Sequence, residues 1–262
     1  MEGPNKFGRM LAKIRHLLFV LCVLALPISY YFMDNFKSVN SISSESLLPP
    51  LQVPVADSRL IKFVKNGFAY TLTPLYDYEI AGLVIHKQPY DTWYSIDRAD
   101  KTFVEDFCIM WGDNLRNKVY QSNGLSVKQD FRFCIVSSSS SDFHSNEFSN
   151  SHIIVNDKTL EEKIKNIRAG DQVRITGKLS NVKGEALGRV SDYESSTFEW
   201  TTSTVRSDSG AGGCEVVFVT GVEIIKRQDD LFRQIFTASL LGIGLVLLSW
   251  IIEFLATFRR EV

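Results

Sequence analysis

No sign of charge dominates this chain: 29 lysines and arginines face 30 aspartates and glutamates over 262 residues. That balance excludes a polycation built to coat nucleic acid and an acidic solvating tail. Proline and glycine are sparse, at seven and sixteen residues, which excludes collagen-like and low-complexity architectures. Only four cysteines are present, and none forms a C-x-x-C pair, so a zinc ribbon and a thioredoxin-type redox motif are both excluded. The sequence also lacks G-x-S-x-G, H-E-x-x-H and G-x-x-x-x-G-K-[ST]. His144 and His152 stand eight apart in a polar stretch without compact ligand spacing and read as surface histidines. Nothing in the pattern calls for a metal or a cofactor.

What is present is uneven hydrophobicity. Residues 17–33 carry no charge and follow a basic head with Lys6, Arg9, Lys13 and Arg15. Residues 234–252 are again uncharged, between Arg233 and the pair Arg259 and Arg260. Each run approaches the roughly 20 residues that a bilayer core requires. The chain therefore divides into a basic head (1–16), a first span (17–33), a serine- and proline-rich tether (34–59), a β-rich domain (60–230), a second span (234–257) and a tail (258–262). A cleaved signal peptide competes for the first run, but no small-x-small cleavage site follows it. In the second run, Ala238 and Gly242 form a small-xxx-small pair that would permit close helix approach in lipid. Glu253 is an intramembrane charge, expected to snorkel beside the terminal arginines. Basic residues crowd the N-terminal side of the first span, which predicts cytoplasmic termini and a central domain in a periplasm or extracellular space.

Between the spans, short runs rich in aromatic and β-branched residues predict strands at 68–73, 78–86, 103–111, 127–136, 171–179 and 215–225, with TPLYD as a turn between the first two. One helix is predicted over 157–168: Asp157 caps it, Gly170 stops it, and Leu160, Ile164 and Ile167 share a face. The expected fold class is mainly β with one principal helix, an OB-like or curled antiparallel barrel held between two transmembrane helices.

The segments PLYDYEIAGLV (74–84), CIMWG (108–112), SNSHIIV (149–155), RAGDQVRITGKL (168–179) and TSTVRSDSGAGGCEVVFV (202–219) carry a resemblance over most of this region. On them the chain resembles a family of uncharacterised bacterial two-helix membrane proteins with an OB-like external domain. The resemblance implies a bacterial inner membrane and no known activity.

The candidate site is the glycine-rich loop with Arg206, Asp208, Cys214 and Glu215, read either as an ion-paired hairpin or as a ligand pocket. Cys214 acting as a nucleophile would need His86, His144 or His152 beside it. Cys108 and Cys134 are the disulfide candidates in an oxidising compartment, with three pairings open among the external cysteines. Tyr76, Tyr78, Trp93, Tyr94 and Trp111 could stack bases, a lesser reading at this net charge. The function expected is a membrane-anchored external binding or assembly module, partnered by the membrane and by a second copy or another membrane protein. The alternatives are a cell-envelope enzyme near Cys214 and an OB-like binder of a ligand or oligonucleotide.

Overall fold

The computed structural model describes residues 6–90, 102–130, 132–189, 195–207, 213–228 and 231–261. The chain forms two compact units: residues 1–34 with 229–262, and residues 35–228.

The first unit is a pair of long helices, α1 (Lys6–Phe32) and α4 (Leu231–Glu261). Both are long and apolar enough to cross a membrane, and neither is buried like the core helix of a water-soluble domain. They run antiparallel. Arg15 near the start of α1 pairs with Glu253 near the end of α4 at 2.6 Å, while Tyr30 meets Phe236 at the opposite end. Reduced exposure recurs at 12, 15, 19, 22, 26 and 29 on α1 and at 235, 239, 242, 246 and 249 on α4. This alternation of threes and fours is the seam of a left-handed helix pair. Small side chains occupy its centre: a Cβ added to Gly242 would stand 2.7 Å from the Cys22 sulfur, and Ser29 and Ser239 are buried nearby. Pro27 lies inside α1, and the Ser29 hydroxyl donates to the carbonyls of Ala25 and Leu26 around it.

The second unit is built on an eight-stranded sheet. Its strands are β1 (Leu51–Pro54), β2 (Ile61–Lys65), β3 (Phe68–Pro89), β4 (Phe103–Met110), β7 (Phe148–Ile154), β8 (Gln172–Ala186), β9 (Thr197–Trp200) and β10 (Glu215–Lys226). A separate hairpin comprises β5 (Ser126–Asp130) and β6 (Phe133–Ser137). The sheet path runs β1-β3-β4-β7-β10-β8-β9; β2 joins β3, and β3 also pairs with β8 from Phe68↔Ala186 to Leu83↔Gln172.

The expected fold class is corrected by this arrangement. β10 runs parallel to β7, with Val217 opposite Ile153, so the sheet is mixed rather than an antiparallel barrel. A parallel pair needs a long crossover, which residues 155–214 provide through the helix Lys158–Lys165 (α3), β8 and β9. Four α-helices are described instead of one principal helix: α1, α4, the short α2 (Asp113–Arg116) and α3 (Lys158–Lys165). α3 is the helix expected over 157–168. The Asp157 carboxylate accepts from the Leu160 N–H at 2.7 Å, and Ile164 and Ile167 are fully buried.

Two further segments differ from the sequence reading. TPLYD is not a turn: β3 continues through it for 22 residues, with a register shift between Pro74 and Tyr76 that absorbs the proline. The stretch 34–59 is docked rather than slack. It carries 3-10 turns at Phe36–Ser38 and Ser44–Leu47, and the Gln172 amide clamps it by accepting from Ser43 N–H and donating to the Ser41 carbonyl.

β4 is buried along its whole length because both sheet faces are covered. Val104, Phe107 and Ile109 join Ile164, Ile167 and Val217 on one face; Cys108 and Met110 meet Leu115, Tyr120 and Cys134 on the other. Entry and exit of this unit are pinned together, since the Gln228 side chain donates to the Asn35 carbonyl at 2.6 Å.

Candidate functional site

Cys214, Glu215 and Arg206 are drawn together where the chain enters β10. Glu215 is the first residue of that strand and lies opposite Ser151 of β7, so Cys214 falls beside Asn150. The Asn150 amide donates to the Cys214 sulfur at 3.3 Å and to the Arg132 carbonyl at 2.7 Å. Cys214 itself is 3% exposed. Arg206 forms an ion pair with Glu215 and donates to the Gln52 side-chain oxygen at 2.8 Å. Its guanidinium also lies 5.0 Å from the Tyr78 ring centre and 5.9 Å from that of Trp111. Burial, and next the Glu215 carboxylate, push the Tyr78 hydroxyl's pKa well above its ordinary value. Asp208 lies outside the described residues.

These residues border a cavity of about 560 Å³. Its apolar wall includes Phe133, Ile135, Val136, Phe148 and Val205, and its polar side is Ser145, Asn150, Arg206, Ser207, Cys214 and Glu215. A mostly apolar hollow with a few converging polar groups is the usual form of a small-molecule site. Of the two loop readings, the ion pair is present between Arg206 and Glu215, and residues 208–212 lie outside the described residues.

Cys108 and Cys134 are joined by a disulfide, 26 residues apart in sequence. The bond ties the β5/β6 hairpin to β4 and so holds one wall of the cavity in place. Cys22 and Cys214 are not disulfide-bonded.

Of the two histidines read as surface residues, one is at the surface and one is not. His144 is exposed, but His152 is fully buried, with its Nδ1 2.7 Å from the Asp106 carboxylate. The register Asp106↔His152 across β4 and β7 imposes this meeting. Arg132, 1% exposed, lies beside them with its guanidinium 4.0 Å from the Tyr90 ring and 4.8 Å from the Phe103 ring. Alternation alone gave no sign of this charged interior, because strand pairing rather than composition brings the residues together. His86 is half-buried, and burial lowers its imidazole pKa. Glu105 on the adjacent position of β4 is pushed up to about 7 by burial, against the opposing pull of Lys87 at 3.3 Å.

The stacking platform does not form as expected. Tyr78 and Trp111 are in the core, and Trp93 and Tyr94 lie outside the described residues. Among the described residues no cluster of histidine, cysteine or carboxylates has the form of a metal site.

In the helix pair, Gly242 faces Cys22 whereas Ala238 is exposed. The predicted small-residue face is thus split. On a seam of this period the neighbour of Gly242 is Ser239, three residues back, and Ala238 points away. Glu253 pairs with Arg15 of α1.

No family model, curated protein or solved structure matches the chain. The resemblance to a bacterial two-helix family is accordingly corrected: the mixed sheet departs from the expected antiparallel barrel, and neither the OB-like label nor a periplasmic domain gains support from any relative.

Proposed function

We propose that this chain is a membrane-anchored binding module whose sheet domain stands on the side of the membrane opposite both termini. The antiparallel seam of α1 and α4 is the observation that carries the reading. A single apolar helix could be a removable leader, but α1 covers α4 along its length, so removing it would strip Cys22 from Gly242 and Arg15 from Glu253. Antiparallel spans return both ends to one side, and the basic residues before the first span assign that side to the cytoplasm. A domain on the other side meets an oxidising environment, where the Cys108–Cys134 bond persists.

Binding is the better use of the domain than catalysis. Cys214 is 3% exposed, whereas a reactive thiol needs access to its substrate. The outward side of α4 offers a place for a second copy or another membrane protein, because Ala238 is exposed and Gly244 has open space where a side chain would stand.

Replacing Gly242 by cysteine tests the anchor. Mild oxidation of native membranes should give an intramolecular Cys22 crosslink and a faster-migrating monomer. Recovery of a chain lacking residues 1–33, or of crosslinks solely between copies, would count against the reading.

A further inference from the structure

The helix pair is clamped at both ends by ion pairs, and these fix the depth at which it sits. Arg15 meets Glu253 at 2.6 Å at one end, and Arg233 meets Asp34 at the other. Between Arg233 and Glu253 the sequence of α4 carries no charge, and the rise along the helix is about 30 Å, the thickness of a bilayer's hydrocarbon core. Between Arg15 and Asp34 there is likewise no lysine, arginine or carboxylate. The two pairs therefore mark the two edges of the core, with Arg15 and Glu253 at the cytoplasmic one.

Beyond that edge α1 carries further basic residues. Lys13 and Arg9 stand about 3 and 9 Å past Arg15 along the axis, across a headgroup layer roughly 5–8 Å deep. Both are exposed, whereas Ala12 and Arg15 are partly covered on the seam. At 3.6 residues per turn Arg9 and Lys13 lie about 40° apart and roughly 110° and 150° from the centre of the seam, so they face lipid and not α4. No residue of α1 is acidic, and Glu253, a carboxylate that reaches this end from α4, is paired with Arg15. The sequence of α4 adds Arg259 and Arg260 against Glu261 at the same end.

We propose that Arg9 and Lys13 form a binding surface for the headgroups of anionic phospholipids in the cytoplasmic leaflet. The assignment rests on the anchor reading and adds a lipid preference to it. Depth brings the two side chains to the level of the phosphates, and their place on the helix turns them outward. Anionic headgroups match them in charge, and each lysine or arginine held at such a surface raises occupancy about fivefold. Arg15, on the seam, serves the helix pair instead.

The test uses the full chain in nanodiscs of mixed phosphatidylcholine and phosphatidylglycerol, with one lipid or the other carrying brominated acyl chains. Bromine quenches tryptophan on contact. Trp250 is the tryptophan of the helix pair, with its ring 5.4 Å from that of His16, three residues on from Lys13; the other three belong to the sheet domain's part of the sequence. Phosphatidylglycerol should be favoured beside Trp250 at least about fivefold. Arg9→Gln together with Lys13→Gln should bring the ratio close to one, Arg9→Lys together with Lys13→Arg should keep it, and high salt should reduce it. Nanodiscs open both faces of the bilayer, so a change of insertion direction in the cell leaves the ratio unaffected. Equal quenching by the two lipids, or a preference that the double glutamine variant retains, overturns the headgroup assignment and leaves the anchor standing. Quenching of Trp250 by neither lipid overturns the anchor reading and the assignment with it.

Discussion

The helix pair and the sheet domain are built inside out with respect to each other. In α1 and α4 the large side chains point outward: Leu17, Leu21, Leu24 and Ile28 on one helix, Leu241, Leu245, Leu248 and Ile252 on the other, are all exposed. The seam between the helices sets serine, cysteine and glycine among Phe19, Leu26, Ile235 and Val246. In the sheet domain Phe107, Ile109, Ile153 and Val217 are fully buried, and charged residues face water unless paired. The inversion follows from the solvent. Leucine gains nothing by leaving lipid for another helix, so close packing of small residues is what holds two helices together there, whereas in water apolar area itself drives burial. The two units are therefore expected to fail in different ways.

The largest expected effect is in the domain. Ile164→Asp buries an unpaired carboxylate against β4 and should cost several kcal/mol, enough to abolish the domain's cooperative thermal transition while the helices still partition into membrane. An unchanged transition would show that the α3 face is misassigned. Next is Cys134→Ser, which frees the β5/β6 hairpin from β4 and should lower stability by about 3 kcal/mol, seen as a matching fall in unfolding temperature. Reductant should reproduce that fall in the wild type and add nothing in the variant.

Two glutamates sharpen the contrast within the domain itself. Glu105 has its folded pKa raised to about 7 by burial, so its contribution is complete below the unfolded value of 4.5 and is lost as pH rises through about 7. Glu105→Gln should thus be more stable than wild type by up to about 3 kcal/mol near pH 8 and equal to it near pH 4. Glu161 behaves oppositely. Burial raises it, but hydrogen bonds from Lys165 and Lys65 overcome that and hold it at about 2, so its contribution is present above 4.5 and lost as pH falls toward 2. Denaturation followed from about pH 3 to pH 8 separates the two slopes. The smallest effect belongs to the seam. Gly242→Ile should separate α1 from α4 at a cost of about 1–3 kcal/mol, read as loss of Trp250 contact with His16 and Phe19 in fluorescence, with the domain's transition unmoved.

The inversion also explains what could be read in advance. Long uncharged runs show the spans directly, and Asp157 with Gly170 marks α3, because those signals are local. β3 passes through Pro74 because a register shift within the β3–β8 pairing accommodates it, and that partner lies a hundred residues away in sequence. Strand direction is equally nonlocal: the alternation in β10 is the same whether its neighbour β7 runs parallel or antiparallel. His152, Asp106 and Arg132 read as polar residues of a loop and strands until pairing closes over them. At the candidate site, Arg206, Cys214 and Glu215 stood out through the glycine-rich segment, whereas Asn150 did not. An asparagine among serines carries no mark of burial until β7 is placed between β4 and β10. The split between Ala238 and Gly242 had the same origin, since a pair four residues apart leaves open which face the other helix covers.

Compartment-specific labelling tests the central claim of an antiparallel two-helix anchor most directly. Cysteine placed at the exposed Ser141 and, separately, at Val262 is treated with a membrane-impermeant maleimide on intact cells. The account predicts that position 141 labels without permeabilisation and position 262 only after it. Labelling of both positions under the same condition would contradict it.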